Sequence, residues 1–142
     1  MERALKRFEG EVQLVLYAFS LNPASAVAAQ AALCAGEQGK FWELHRLIYL
    51  RQAQWNHLNE PLDRLLEFAK ELSLDTVTLK SCVQSGRMLP LIEADKAYGR
   101  SLEVRSTPTL FINNQRIVGA QPEGDLVRVI RQELARVRGT AQ

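Results

Sequence analysis

Between Val12 and Phe19 the chain reads Val-Gln-Leu-Val-Leu-Tyr-Ala-Phe, a run of β-forming apolar residues broken only by Gln13. It shows no alternation of polar and apolar positions. A strand of this kind is expected to be buried on both faces, which requires helices on either side of a sheet. This single feature pulls the chain toward the α/β class. Ser20, Leu21 and Asn22 close the run, and Asn22 before Pro23 reads as an N-cap with proline at the first helical position.

The flanking segments fill in an order. Glu2 to Glu9 reads as a short helix ended by Gly10. From Pro23 to about Glu103 the pattern is helical. An alanine-rich segment from Ala24 to Ala35 is broken by Gly36 and Gly39. Amphipathic segments follow around Phe41–Tyr49 and Leu62–Leu72. Asp75 is a plausible cap for a fourth helix ending at Gly86, and a fifth runs from Leu89 to Leu102. The period then changes. Thr109–Ile112 reads as a strand, Asn113-Asn114 as a turn pair, and Arg116–Ala120 as the returning strand. Pro122 opens a last helix, with acids at its start and arginines at its end. The order is helix, strand, helical block, hairpin, helix. It is predicted to form one domain, in which 1–22 and 104–142 make the α/β part and 23–103 a helical insertion.

Composition excludes several classes. The 142 residues carry 18 basic and 16 acidic side chains, a net +2, with 24% charged and 46% hydrophobic residues. That is ordinary for a globular chain and too weakly basic to argue for nucleic acid. Ala24–Ala35, the longest apolar stretch, falls short of the roughly 20 residues of a membrane span. No basic-then-apolar leader is visible, so no signal peptide is read. The two cysteines do not settle the redox compartment.

Ser106-Thr107-Pro108-Thr109 is the most informative short segment. Proline directly before an apolar strand is unusual, since it cannot donate to the ladder. One reading is a trans proline opening an edge strand. The other is a cis proline whose preceding residue offers its backbone to an extended peptide. Thr107-Pro108-Thr109-Leu110-Phe111-Ile112-Asn113, followed by Ile117-x-Gly119-Ala120, resembles the cis-proline strand and hairpin of the DsbA-like branch of the thioredoxin superfamily. A second block, Cys34-Ala35-Gly36-Glu37-Gln38-Gly39-Lys40-Phe41-Trp42-Glu43-Leu44-His45, resembles the start of that family's helical insertion.

The resemblance implies a thioredoxin-like α/β fold with an all-helical insertion and thiol–disulfide oxidoreductase chemistry on extended or unfolded protein substrates. It implies Thr107 and Pro108 as substrate-docking residues, with no metal or organic cofactor. The family often works outside the cytoplasm. Its first strand and its Cys-x-x-Cys pair, however, have no counterpart in this sequence. Exchange needs an attacking thiolate and a resolving thiol, so the chain as it stands is expected to lack turnover. A non-catalytic peptide-binding module and a fragment without independent role are the rival readings. Cys34 and Cys82 are expected either as buried inert thiols or as a structural disulfide between helices, the pairing that the resemblance favours. His45 and His57 are weak metal candidates. Phe41, Trp42 and Tyr49 read as core or as a pocket wall, and the arginines after Leu126 as a solvated face. The missing strand carries one more expectation. Either Val12–Phe19 pairs directly with Thr109–Ile112, or a strand from another chain, a partner or a second copy, fills the slot.

Overall fold

The structure, a computed structural model, describes residues 2–140. In chain order its elements are α1 (Glu2–Lys6), α2 (Pro23–Gly36), α3 (Phe41–Leu50), a 3₁₀ turn (Gln52–Gln54), α4 (Leu62–Glu71), α5 (Thr76–Ser85), α6 (Leu89–Ser101), β1 (Thr109–Ile112), β2 (Gln115–Val118) and α7 (Glu123–Thr140). The chain separates into two compact units. One runs from Tyr17 to Leu102; the other joins the chain up to Leu16 with the chain from Glu103 onward.

The Tyr17–Leu102 unit is all helical. Its first helix begins where the sequence places it. The Asn22 side chain accepts from the Ser25 N–H at 2.8 Å, and the Ser25 hydroxyl accepts from the Asn22 N–H at 3.0 Å, a reciprocal capping box. Small residues of α2 (Ala28, Ala31, Ala32, Ala35) are buried, which lets α3, α4, α5 and α6 pack against it. Leu44, Leu65 and Leu79 are fully enclosed, and the Trp55 indole N–H is satisfied by the Ile48 carbonyl at 2.8 Å. Asp75 caps α5 through the N–H groups of Val77 and Thr78. The Thr78 hydroxyl and those backbone donors hold its carboxyl below its ordinary pKa. Gly86, with φ +69°, closes the same helix in the left-handed conformation that glycine adopts most easily.

The other unit is built on a hairpin. β1 and β2 pair antiparallel with Thr109 opposite Val118, Leu110 opposite Ile117, Phe111 opposite Arg116 and Ile112 opposite Gln115. Asn113 turns the corner at φ +51°, as the asparagine pair predicts. Leu110, Ile112 and Ile117 lie against a small core of Ala4, Phe8, Leu126, Val127 and Ile130, where α1 meets α7. Glu123 binds Arg3 at 2.9 Å and Arg7 at 3.0 Å, and Arg138 pairs with Glu11. The 5%-exposed Glu133 accepts from the Asn113 side-chain amide at 3.1 Å and from Arg136 at 2.9 Å, which ties the hairpin turn to α7. Arg136 first, and Asn113 next, hold its carboxyl below the usual range.

Two boundaries and one element differ from the sequence reading. α1 ends at Lys6 rather than Glu9, and the returning strand is Gln115–Val118 rather than Arg116–Ala120. The larger correction concerns Val12–Phe19, which is not a strand. Val15 is 59% and Tyr17 54% exposed, so the run is not buried on both faces. Nor does it pair with Thr109–Ile112, because β1 bonds only β2 among the described residues. A strand exists only within a ladder. Side-chain composition can favour the extended backbone, but it supplies no partner for the N–H and C=O groups. The Ala18 N–H, for instance, goes to the Asp95 carboxylate at 2.8 Å instead of to a strand carbonyl.

Candidate functional site

The loop Ser106–Pro108 enters β1 from the hairpin unit. Thr107 and Pro108 are both exposed, and the peptide bond between them is cis. The Pro108 carbonyl accepts from the Gly119 N–H at 2.8 Å, and the Thr109 hydroxyl donates to the Ser106 carbonyl at 2.7 Å. These two bonds fix both ends of the loop. Gly119 sits at φ +83°, which explains a glycine just past β2. Beyond the loop, the second edge of β1 is unpaired among the described residues. Extended backbone can add to such an edge, main chain to main chain.

The register divides the hairpin into two faces. Leu110, Ile112 and Ile117 face the core; Thr109, Phe111, Arg116 and Val118 share the outer face. Phe111 is 45% and Val118 53% exposed. A shallow cleft of about 400 Å³ opens there, lined by Glu103, Arg105, Ser106, Thr109, Arg116 and Val118. No motif in the sequence gives Arg105 or Arg116 a role. The signal was the two-residue turn, which fixes the register and so places Arg116 opposite Phe111.

Cys34 and Cys82 are each 1% exposed and joined by a disulfide between α2 and α5, with Cα atoms 6.0 Å apart. No free cysteine occurs among the described residues. Both sulfurs belong to the helical unit, whereas Thr107 and Pro108 belong to the hairpin unit.

His45 stands in a ring stack along α3, 5.6 Å from Phe41, 5.6 Å from Trp42 and 4.8 Å from Tyr49 between centroids. Phe41 is half-buried against the helical core, while Trp42 and Tyr49 are exposed, so these aromatics are not core throughout. His57 lies exposed in the turn after Trp55. Among the described residues no three His, Cys, Asp or Glu side chains gather at metal-binding distance. The arginines of α7 are solvent-exposed, and Arg128 pairs with Asp125 at 3.2 Å.

Comparison with known proteins agrees with the sequence resemblance. A family model described as Thioredoxin matches residues 2–132. Among curated proteins, the chain is 35% identical over 100 residues to Na(+)/H(+) antiporter NhaA 1 of Salinispora arenicola, covering 70% of this chain and 15% of that protein. It is 34% identical over 96 residues to Na(+)/H(+) antiporter NhaA 3 of Salinispora tropica, covering 68% and 14%. Na(+)/H(+) antiporter NhaA of Herminiimonas arsenicoxydans is 27% identical over 133 residues, covering 94% and 20%. The chain thus spans a fifth or less of the length of these relatives. A match over nearly the whole chain, on a frame of helices and a β-hairpin entered through Thr107–Pro108, places this protein in the thioredoxin superfamily as a DsbA-like domain.

Proposed function

We propose that this chain is a DsbA-like thiol–disulfide oxidoreductase domain that keeps the polypeptide-docking side of that activity, and that these 142 residues perform no disulfide exchange on their own. The observation that carries the reading is that the chain's two cysteines are bonded to each other and buried. Both cysteines are bonded to each other inside the helical unit, and the unit holding Thr107–Pro108 contains no cysteine. Exchange begins with a thiolate attacking an accessible sulfur, and neither partner is at hand. Docking needs less. An exposed loop leading into an open strand edge offers backbone donors and acceptors to an extended or unfolded chain, or to a strand of a second molecule.

Two measurements test it. Reduction of a disulfide-bonded protein substrate by dithiothreitol is expected to run no faster with the chain than without it. Turnover that survives replacement of both Cys34 and Cys82 would overturn the account of the site. Binding of a reduced, alkylated polypeptide is expected to weaken roughly fivefold in Thr107→Lys, the equivalent of about one lost hydrogen bond. Unaltered binding in that variant removes the docking role.

The relatives favour a second reading of the partner, in which the docked polypeptide is part of a Na(+)/H(+) antiporter, since 94% of this chain aligns with a protein of that name. The same titration distinguishes it. Peptides from the extramembrane segments of such an antiporter should bind more tightly than unrelated unfolded chains, and equal binding leaves this second reading without support.

A further inference from the structure

Most arginines of this molecule are neutralised where they stand: Arg7 by Glu123, Arg51 by Glu71, Arg128 by Asp125. Arg105 and Arg116 are different. Both line the outer cleft of the hairpin unit, and among the described residues neither makes an ion pair. Arg116 gives an N–H to the Glu103 carbonyl oxygen and holds its guanidinium over the Phe111 ring, 5.7 Å from the centroid. That contact orients the group without cancelling its charge. Glu103 lines the same cleft, so two arginines stand against one glutamate and the lining carries a net positive charge.

The position matters as much as the charge. Arg105 and Ser106 run directly into Thr107 and Pro108, and Arg116 shares its face with Thr109, Phe111 and Val118. A polypeptide lying on the loop therefore passes the cleft. We infer that the cleft receives an acidic side chain of the docked polypeptide, with an apolar neighbour of that side chain resting on Phe111 and Val118; this rests on the docking role proposed above. Guanidinium groups are suited to the task because their planar N–H pairs fit both oxygens of a carboxylate. The Ser106 hydroxyl adds a donor at the rim, whereas that of Thr109 is already committed to the Ser106 carbonyl. The substrate class is thus narrowed from any extended chain to one with a carboxylate beside an apolar residue.

The test uses the unaltered chain and three fluorescent, cysteine-free peptides identical except for Glu, Gln or Lys after a leucine. Anisotropy titration at low salt is expected to rank them Glu, Gln, Lys, with Glu about fivefold tighter than Gln, the size of a good exposed ion pair. The preference should shrink as salt is raised. R105S and R116S should each reduce it, and R105E should reverse it in favour of the Lys peptide. The R105E reversal serves as the control for folding, because a collapsed protein gains no new preference. Equal affinities for the three peptides, with binding still weakened by Thr107→Lys, would overturn the acidic cleft and leave the docking role standing. Binding of none of the three would overturn both. A preference for Glu unchanged in both R105S and R116S would place the acid elsewhere and overturn the assignment.

Discussion

The helical unit and the hairpin unit are stabilised by different means. In the first, α2, α3, α4 and α5 enclose a continuous core from Ala28 to Val83, and a disulfide ties two of them together. In the second, a two-stranded sheet leans on the small cluster around Phe8 and Ile130, with ion pairs at the margins and the outer edges of both strands unpaired among the described residues. Two strands alone are marginal in water, so α7 is what keeps the hairpin in place. The contrast shows a division of labour. The part proposed to carry the docking surface is the less heavily braced, and the braced part holds both sulfurs in a buried disulfide.

The largest effect that would break this contrast is loss of the disulfide. Its cysteines lie 48 positions apart, and closing a loop of that size is worth about 4 kcal/mol in the chain-entropy account. Replacing Cys34 and Cys82 by alanine should lower hydrogen-exchange protection throughout α2 and α5. The amides of β1, β2 and α7 should change little. An equal loss in both units would mean that they unfold as one, and the comparison would fail. Phe8→Ala probes the other side. Phe8 is 5% exposed in the small core, and its truncation should cost about 3 kcal/mol. The loss is expected as fraying of α1 and the hairpin, with the helical unit unchanged in thermal melts monitored by the fluorescence of Trp42 and Trp55, both of which it contains. The smallest effect is a pH response at the hairpin turn. Arg136 and Asn113 favour ionised Glu133, so their contribution is complete above the ordinary carboxylate range and is lost as the pH falls through the depressed value. The Asn113 side-chain amide resonances should therefore titrate below the usual glutamate range, and Glu133→Gln should abolish that titration.

What could be read from the sequence follows how local the governing interactions are. The start of α2 was legible because Asn22, Pro23 and Ser25 complete the cap among themselves. The limits of α5 were legible for the same reason, with Asp75 at one end and Gly86 at the other. The hairpin was legible from its asparagine turn. Val12–Phe19 was not, since its fate depends on whether another strand supplies hydrogen bonds, and nothing within the run records that. The choice between two buried thiols and a disulfide was likewise open until α2 and α5 were seen to bring the Cα atoms to 6.0 Å. Arg105 and Arg116 meet in one cleft only through the β1–β2 register, a relation between segments that neither displays alone.

The order in which the chain threads its two units also governs how it behaves under tension. The helical unit is spliced into the middle of the other one, whose two halves lie on either side of it in sequence. Since α1 packs on α7, a pull applied to the two ends of the chain is expected to open that contact before it loads the helical unit. The Cys34–Cys82 bond then shields the segment between its sulfurs from the force. At roughly 3.4 Å per extended residue, 48 positions correspond to about 160 Å of contour that cannot be drawn out until the bond is reduced. Stretched in an oxidising medium, this protein is a short tether with a knot of helices in its middle; in a reducing one, it is a much longer string.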